Sequence, residues 1–89
     1  MPHRRLLIGN EKGLHARASA RFVEVVETFE ARVAVTRDGL EVSGDSIMGL
    51  LMLAAAKGAH IDVSADGPDA GPALDALQAL VDANFGEER

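Results

Sequence analysis

Polar and apolar residues succeed one another along this chain in two rhythms, alternation and helical spacing, and their order predicts seven elements. Residues 4–8, Arg-Arg-Leu-Leu-Ile, read as a short first strand that ends at Gly9-Asn10, where turn-forming residues open a loop running to Gly13. Ala18, Phe22, Val25, Val26 and Phe29 then recur at helical spacing, with Arg17, Arg21 and Glu24 off that face. This predicts an amphipathic helix over residues 16–28 whose N-terminus falls at His15. Val33 and Val35 alternate with Arg32, Ala34 and Thr36; beyond Asp38-Gly39, a hairpin signal, Leu40 and Val42 alternate with Glu41 and Ser43. Ser46 is placed as the N-cap of a second helix that follows the apolar run from Ile47 and ends near Lys57-Gly58, a cation and a glycine suited to a helix terminus. Ile61, Val63 and Ala65 alternate with His60, Asp62 and Ser64 as a fourth strand, stopped by Asp66-Gly67-Pro68. A third helix starts from Asp69 as N-cap, accepts Pro72 in its first turn and buries Leu74, Leu77, Leu80 and Val81. Residues 86–89 read as a fraying tail.

A four-stranded sheet with one apolar face and three helices with one apolar stripe each combine as an α+β, open-faced two-layer sandwich. All helices are expected on one side, leaving the other sheet face polar and wet. With 89 residues and 47% hydrophobic content, the chain is expected to form one compact domain over residues 1–89, with a modest core needing neither metal nor crosslink. No linker, repeat or low-complexity segment interrupts it.

Charge and cysteine usage narrow the function classes. The absence of cysteine removes disulfides and thiolate metal sites and fits a reducing, cytoplasmic setting. The basic N-terminus carries too short an apolar run for a signal segment, and no stretch approaches membrane-spanning length, so a membrane partner is not expected. A net charge of -5 with 3% aromatics lacks the basic face and stacking rings of a nucleic-acid binder.

The candidate chemistry lies at Gly13-Leu14-His15-Ala16-Arg17-Ala18-Ser19. A histidine in the first turn of a helix, two residues after a glycine able to take a strained turn, stands at a position that favours an anion. The backbone N–H groups of Ala16, Arg17 and Ala18 are free at the helix start, and the positive dipole end stabilises negative charge on whatever His15 carries. The same dipole disfavours a charged imidazolium and leaves the ring nucleophilic. Arg17 can fold back to offer a fork of donors to phosphoryl oxygens. These parts suit phosphoryl transfer, which needs positioning and charge neutralisation above all.

The string from Gly13 to Ser19, followed by Phe22, resembles the active-site signature of the HPr family, the histidine-containing phosphocarriers of the bacterial phosphoenolpyruvate phosphotransferase system. A second segment, Gly44-Asp45-Ser46-Ile47-Met48-Gly49-Leu50-Leu51-Met52, resembles that family's regulatory-serine region. Length and element order match from end to end. The resemblance implies that His15 accepts phosphate through Nδ1 from phospho-Enzyme I and gives it to an enzyme IIA. It also implies that the active-site arginine is Arg17 and that a kinase, an HPr kinase/phosphorylase where one is present, would act on Ser46. It implies the open-faced sandwich as well, reached separately from the pattern. Four positions depart from the family: Ala18 replaces a frequent proline, Glu24 and Glu27 stand where enteric sugar-type carriers have lysines, and Asp45 replaces a usual basic residue.

The second helix is apolar almost all round, which a domain this small cannot bury. Leu50 and Leu53 are assigned to the core, while Ile47, Met48 and Leu51, together with Arg21, are assigned to a partner-docking patch beside the His15 loop. A core or dimer role for these residues is the alternative, although a monomer is expected. His3 and His60 read as solvated strand residues, with no carboxylate cluster at metal spacing, and no metal site is expected. Glu24, Glu27 and Glu30 read as a solvated face. The expected function is a cytoplasmic phosphocarrier with no cofactor and no stand-alone catalytic cycle. A nitrogen-type regulatory carrier, favoured by Glu24 and Glu27, and a binding module acting mainly through Ser46 are the alternatives.

Overall fold

A computed structural model describes residues 2–87. The elements follow in the order β1 (His3–Leu7), α1 (Ala16–Glu27), β2 (Arg32–Arg37), β3 (Leu40–Ser43), α2 (Ile47–Met52), β4 (His60–Asp66) and α3 (Ala70–Asp82), closed by a short 3-10 turn at Asn84–Gly86. All strands are antiparallel in the order β1-β4-β2-β3. Alternation sets which residues face inward: Leu6, Val33, Val35, Ile61, Val63 and Ala65 are buried, and Val42 packs against them from the edge. The opposite face carries Arg5, Asp62, Thr36 and Glu41 in register across the four strands. The β2–β3 hairpin turns on Asp38 and Gly39, both at positive φ (51° and 83°), the backbone form that a two-residue turn between twisted strands requires.

The helices pack on the apolar face and on one another: α3 on β1 and β4, α2 on β3, α1 on α2 and α3. Burial along α1 falls on Ala18, Ser19, Phe22, Val23 and Val26, so the buried stripe is rotated toward Val23; Val25 packs at the margin and Phe29, beyond the helix end, is only half-buried. On α3, Leu74, Leu77 and Val81 are buried and Leu80 lies at the margin. Asp69 precedes α3, but its side chain makes no cap. Its carboxylate Oδ2 accepts from the Glu30 N–H at 2.8 Å, and its own N–H donates to the Glu30 carbonyl at 3.1 Å, tying the start of α3 to the loop before β2. A partner distant in sequence has displaced the local one.

The second helix is shorter than the apolar run predicts. It ends at Met52, capped by Leu53, and not near Lys57-Gly58. Ala54 takes φ 51°, and the chain turns so that the Ala55 carbonyl accepts the Leu14 N–H at 2.8 Å. Arg37 Nη1 donates to the freed Leu53 carbonyl at 2.9 Å, so a basic group does serve this helix end, from β2 and not from Lys57. The tail is also corrected. Gly86 and Glu87 are held by backbone bonds to Ala83 and Asn84, and Phe85 is fully buried, while residues 88 and 89 lie outside the described residues. Among the described residues no helix is long and apolar enough to cross a membrane.

Candidate functional site

The loop after β1 is fixed from three sides before it reaches His15. Ile8 exchanges backbone bonds with the turn before β4, donating to Ala59 at 2.9 Å and accepting from Gly58 at 2.7 Å. Lys57 Nζ meets Glu11 Oε2 at 2.6 Å across the same gap, an exposed pair that holds the Glu11 carboxyl below its usual range. Gly13, at φ 65°, lies so close to the 55–56 segment that a Cβ would stand 2.4 Å from the Ala55 carbonyl oxygen. Glycine is required there for both conformation and space. Buried Asn10 supports the turn from below: its backbone carbonyl accepts the Gly13 N–H at 3.1 Å, and its Nδ2 donates to the Gly13 carbonyl at 2.8 Å.

His15 is the N-cap of α1, in extended conformation, and its Nδ1 accepts the Arg17 N–H at 3.2 Å. The imidazole thus fills the role a Ser or Asp side chain commonly takes at this position. Ala16 and Ala18 N–H have no acceptor among the described residues, while Ser19 N–H already bonds the His15 carbonyl at 2.8 Å. Of the three N–H groups expected to be free, Arg17's is therefore occupied by the ring itself. Ala18 is fully buried, so the position often held by proline is a packing position here. The Arg17 side chain is exposed and forms no ion pair among the described residues.

Two groups that the sequence pattern did not single out complete the site. Glu87 Oε2 contacts His15 Nε2, and Glu87 Oε1 accepts from Asn10 Nδ2 at 2.9 Å. The bond from Asn10 is the chief cause holding the Glu87 carboxyl below its usual range; burial opposes it, and the contact and charge of His15 and the charge of Lys12 add to it. A carboxyl whose folded pKa is depressed stabilises the fold above its ordinary pKa, and that contribution is lost as pH falls through the depressed value. Acid therefore weakens the hold of the Glu87 carboxylate on Asn10 and His15. The signal in the sequence was Phe85-Gly86: an aromatic just past a helix end, followed by glycine, can fold the tail back to the core.

The α2 group stands on the neighbouring helix. Ser46 caps α2 by accepting the Gly49 N–H at 3.0 Å, and Asp45 accepts from Ser43 Oγ at 2.5 Å. Ile47 and Met48 are 40% and 71% exposed, Leu51 is half-buried, and Met52, which was not assigned to the patch, is 66% exposed; Leu50 and Leu53 are buried as expected. No hydrogen bond or ion pair among the described residues joins this group to His15. Arg21 is exposed and reaches over the tail, where a Cβ on Gly86 would stand 3.3 Å from its Nη1. His3 and His60 are exposed, and among the described residues no cluster of three or more His, Asp or Glu could hold a metal ion.

The family model described as the PTS HPr component phosphorylation site matches residues 2–83. The chain is 49% identical over 78 residues to phosphocarrier protein HPr of Neisseria meningitidis serogroup A, covering 88% of each chain. It is 38% identical over 87 residues to phosphocarrier protein NPr of Proteus mirabilis, covering 97% of each. The crystal structure of HPr-C-His from Thermoanaerobacter tengcongensis superposes with a TM-score of 0.95 at 37% identity over the whole of both chains. Sheet order, helix placement and these matches together establish that the chain belongs to the HPr family of phosphocarriers, in which HPr and NPr are both found.

Proposed function

We propose that His15 accepts a phosphoryl group through Nδ1 from phospho-Enzyme I of the phosphotransferase system and donates it to an enzyme IIA. The observation that carries this reading is the position of Nδ1, which faces the start of α1 within 3.2 Å of the Arg17 N–H. In the transfer, the Nδ1 lone pair forms a bond to phosphorus while the bond from phosphorus to the donor breaks and its electron pair returns to the donor. The Arg17 N–H that now bonds Nδ1 becomes free for a phosphoryl oxygen, alongside the N–H groups of Ala16 and Ala18. The Arg17 guanidinium, unpaired among the described residues, supplies the fork of donors that neutralises the incoming charge. Donation to the IIA reverses these steps. The whole chain, residues 1–89, works as one carrier domain in the cytoplasm, as a monomer and without metal or organic cofactor.

Labelled phosphoenolpyruvate, magnesium and Enzyme I provide the test. Wild type takes up acid-labile phosphate, and Arg17→Ala takes it up about 100-fold more slowly. Because Arg17 is exposed, its loss shifts unfolding free energy by less than about 0.5 kcal/mol. Unchanged transfer kinetics in Arg17→Ala would remove the guanidinium from the mechanism.

Ile47, Met48 and Leu51, with Arg21, form the docking surface, and Met52 extends it. Phosphorylation of Ser46 by an HPr kinase/phosphorylase would add charge at its edge, which docking must desolvate. Ser46→Asp keeps an oxygen for the Gly49 N–H, so the fold is spared. Calorimetry against Enzyme I is expected to read a loss of affinity of about tenfold, or about 1.4 kcal/mol, that shrinks with salt. Equal affinities at low and moderate salt would leave Ser46 a cap alone. Both Glu24 and Glu27 are exposed on α1, and a nitrogen-type regulatory carrier not coupled to sugar transport is the alternative reading they support.

A further inference from the structure

We propose that Glu87 is a positioning residue for His15: its carboxylate holds the Nε2–H of the imidazole, so that Nδ1 keeps its lone pair toward the start of α1, and it balances the positive charge the ring acquires on phosphorylation. This role rests on the reading of His15 as the phosphoryl acceptor. The two ring nitrogens are already assigned by their neighbours. Nδ1 accepts from the Arg17 N–H, so the ring proton of the neutral imidazole resides on Nε2, where Glu87 Oε2 receives it.

The carboxylate is itself held. Asn10 Nδ2 divides its two hydrogens between the Gly13 carbonyl and Glu87 Oε1, at 2.8 and 2.9 Å. Turning the amide over would set its oxygen against both acceptors, so only one orientation works, even though Oδ1 then finds no partner among the described residues. Asn10 thereby couples the turn that launches His15 to the carboxylate that orients its ring.

The tail also reaches His15 by an unusual backbone path. Asn84, Phe85 and Gly86 lie in the left-handed region in succession, at φ 56°, 58° and 77°. Asparagine and glycine enter that region readily, but a phenylalanine there is strained and persists only where its surroundings fix it. Here they do: the Phe85 ring is fully buried. The turn reverses the chain after α3, and the Glu87 N–H closes it on the Asn84 carbonyl at 2.9 Å. Lys12 lies near enough to favour the ionised carboxylate, and Arg21 lies over Gly86.

When phosphorus bonds Nδ1, the proton stays on Nε2 and the ring becomes cationic, with the carboxylate on the side away from the phosphoryl group. Loss of the carboxylate therefore penalises the phosphorylated ring more than the free one. It slows acceptance from Enzyme I and leaves donation unimpaired or faster.

The test uses the full chain, 15N-labelled, as wild type, Glu87→Gln and Glu87→Ala. In the unphosphorylated protein, the His15 Nε2–H of wild type is expected as a downfield, exchange-protected NMR signal. Glu87→Gln keeps an acceptor and retains a weaker signal; Glu87→Ala loses it. In transfer assays Glu87→Ala accepts phosphate about tenfold more slowly, and Glu87→Gln recovers part of the rate. A Glu87→Ala chain with the Nε2–H signal intact, or with wild-type acceptance and donation rates, overturns the role of Glu87 while leaving the carrier reading in place. A wild-type chain that takes no phosphate overturns the carrier reading first.

Discussion

His15→Ala is expected to take up no acid-labile phosphate from Enzyme I while remaining folded. The two halves of this result come from separate properties of one side chain. Chemically, His15 is the histidine that caps a helix, with one nitrogen at the helix start and the other on a carboxylate; His3 and His60 are exposed strand residues with neither setting. Structurally, the imidazole accepts a single backbone N–H, and N-cap loss costs about 1 kcal/mol. The core under α1, built on Ala18, Phe22, Val23 and Val26, does not depend on it. Radiolabel transfer and urea unfolding, run on the same variant, check both halves. Acid-labile phosphate appearing at the normal rate would relocate the site.

Gly13→Ala is expected to damage stability and transfer together. An alanine at φ 65° carries a backbone penalty of about 1–2 kcal/mol. Its methyl would also be driven to 2.4 Å from the Ala55 oxygen, the atom that accepts the Leu14 N–H, so it cannot be relieved without moving the 53–56 segment. Forced repacking of this kind costs about a further 1–3 kcal/mol. The sum is a large part of the total for a chain of this size. Any relaxation shifts Leu14 and His15, and small displacements of a reacting group are expensive. Urea melts should lose about 2–5 kcal/mol, and transfer should slow beyond what unfolding accounts for. A melt within 0.5 kcal/mol of wild type, as about the surface norm, would mean that the loop has room the structure denies it.

The sheet was legible because alternation is enforced by burial on one face only: a one-residue error in β4 would have exposed Ile61, Val63 and Ala65 together. The start of α1 was legible for a similar reason, since apolar spacing and the preceding glycine agree on His15. The end of α2 was not. Ala54, Ala55 and Ala56 suit a helix, yet the turn at Ala54 delivers the Ala55 carbonyl to Leu14, and that long-range bond overrides local propensity. Asp69 failed as a side-chain cap for the same cause, its carboxylate being taken by Glu30. Phe85-Gly86 signals that the tail can fold back, but not where it lands: the pairing of Glu87 with Asn10 and His15 spans more than 70 residues, and a four-residue tail is too short to show a period.

The most direct test of the account is 31P and 15N NMR of the wild-type chain after reaction with Enzyme I and phosphoenolpyruvate. A single phosphohistidine should form, at His15, with phosphorus coupled to Nδ1 and the proton retained on Nε2. Phosphate at His3 or His60, or bonded to Nε2 of His15, would contradict it.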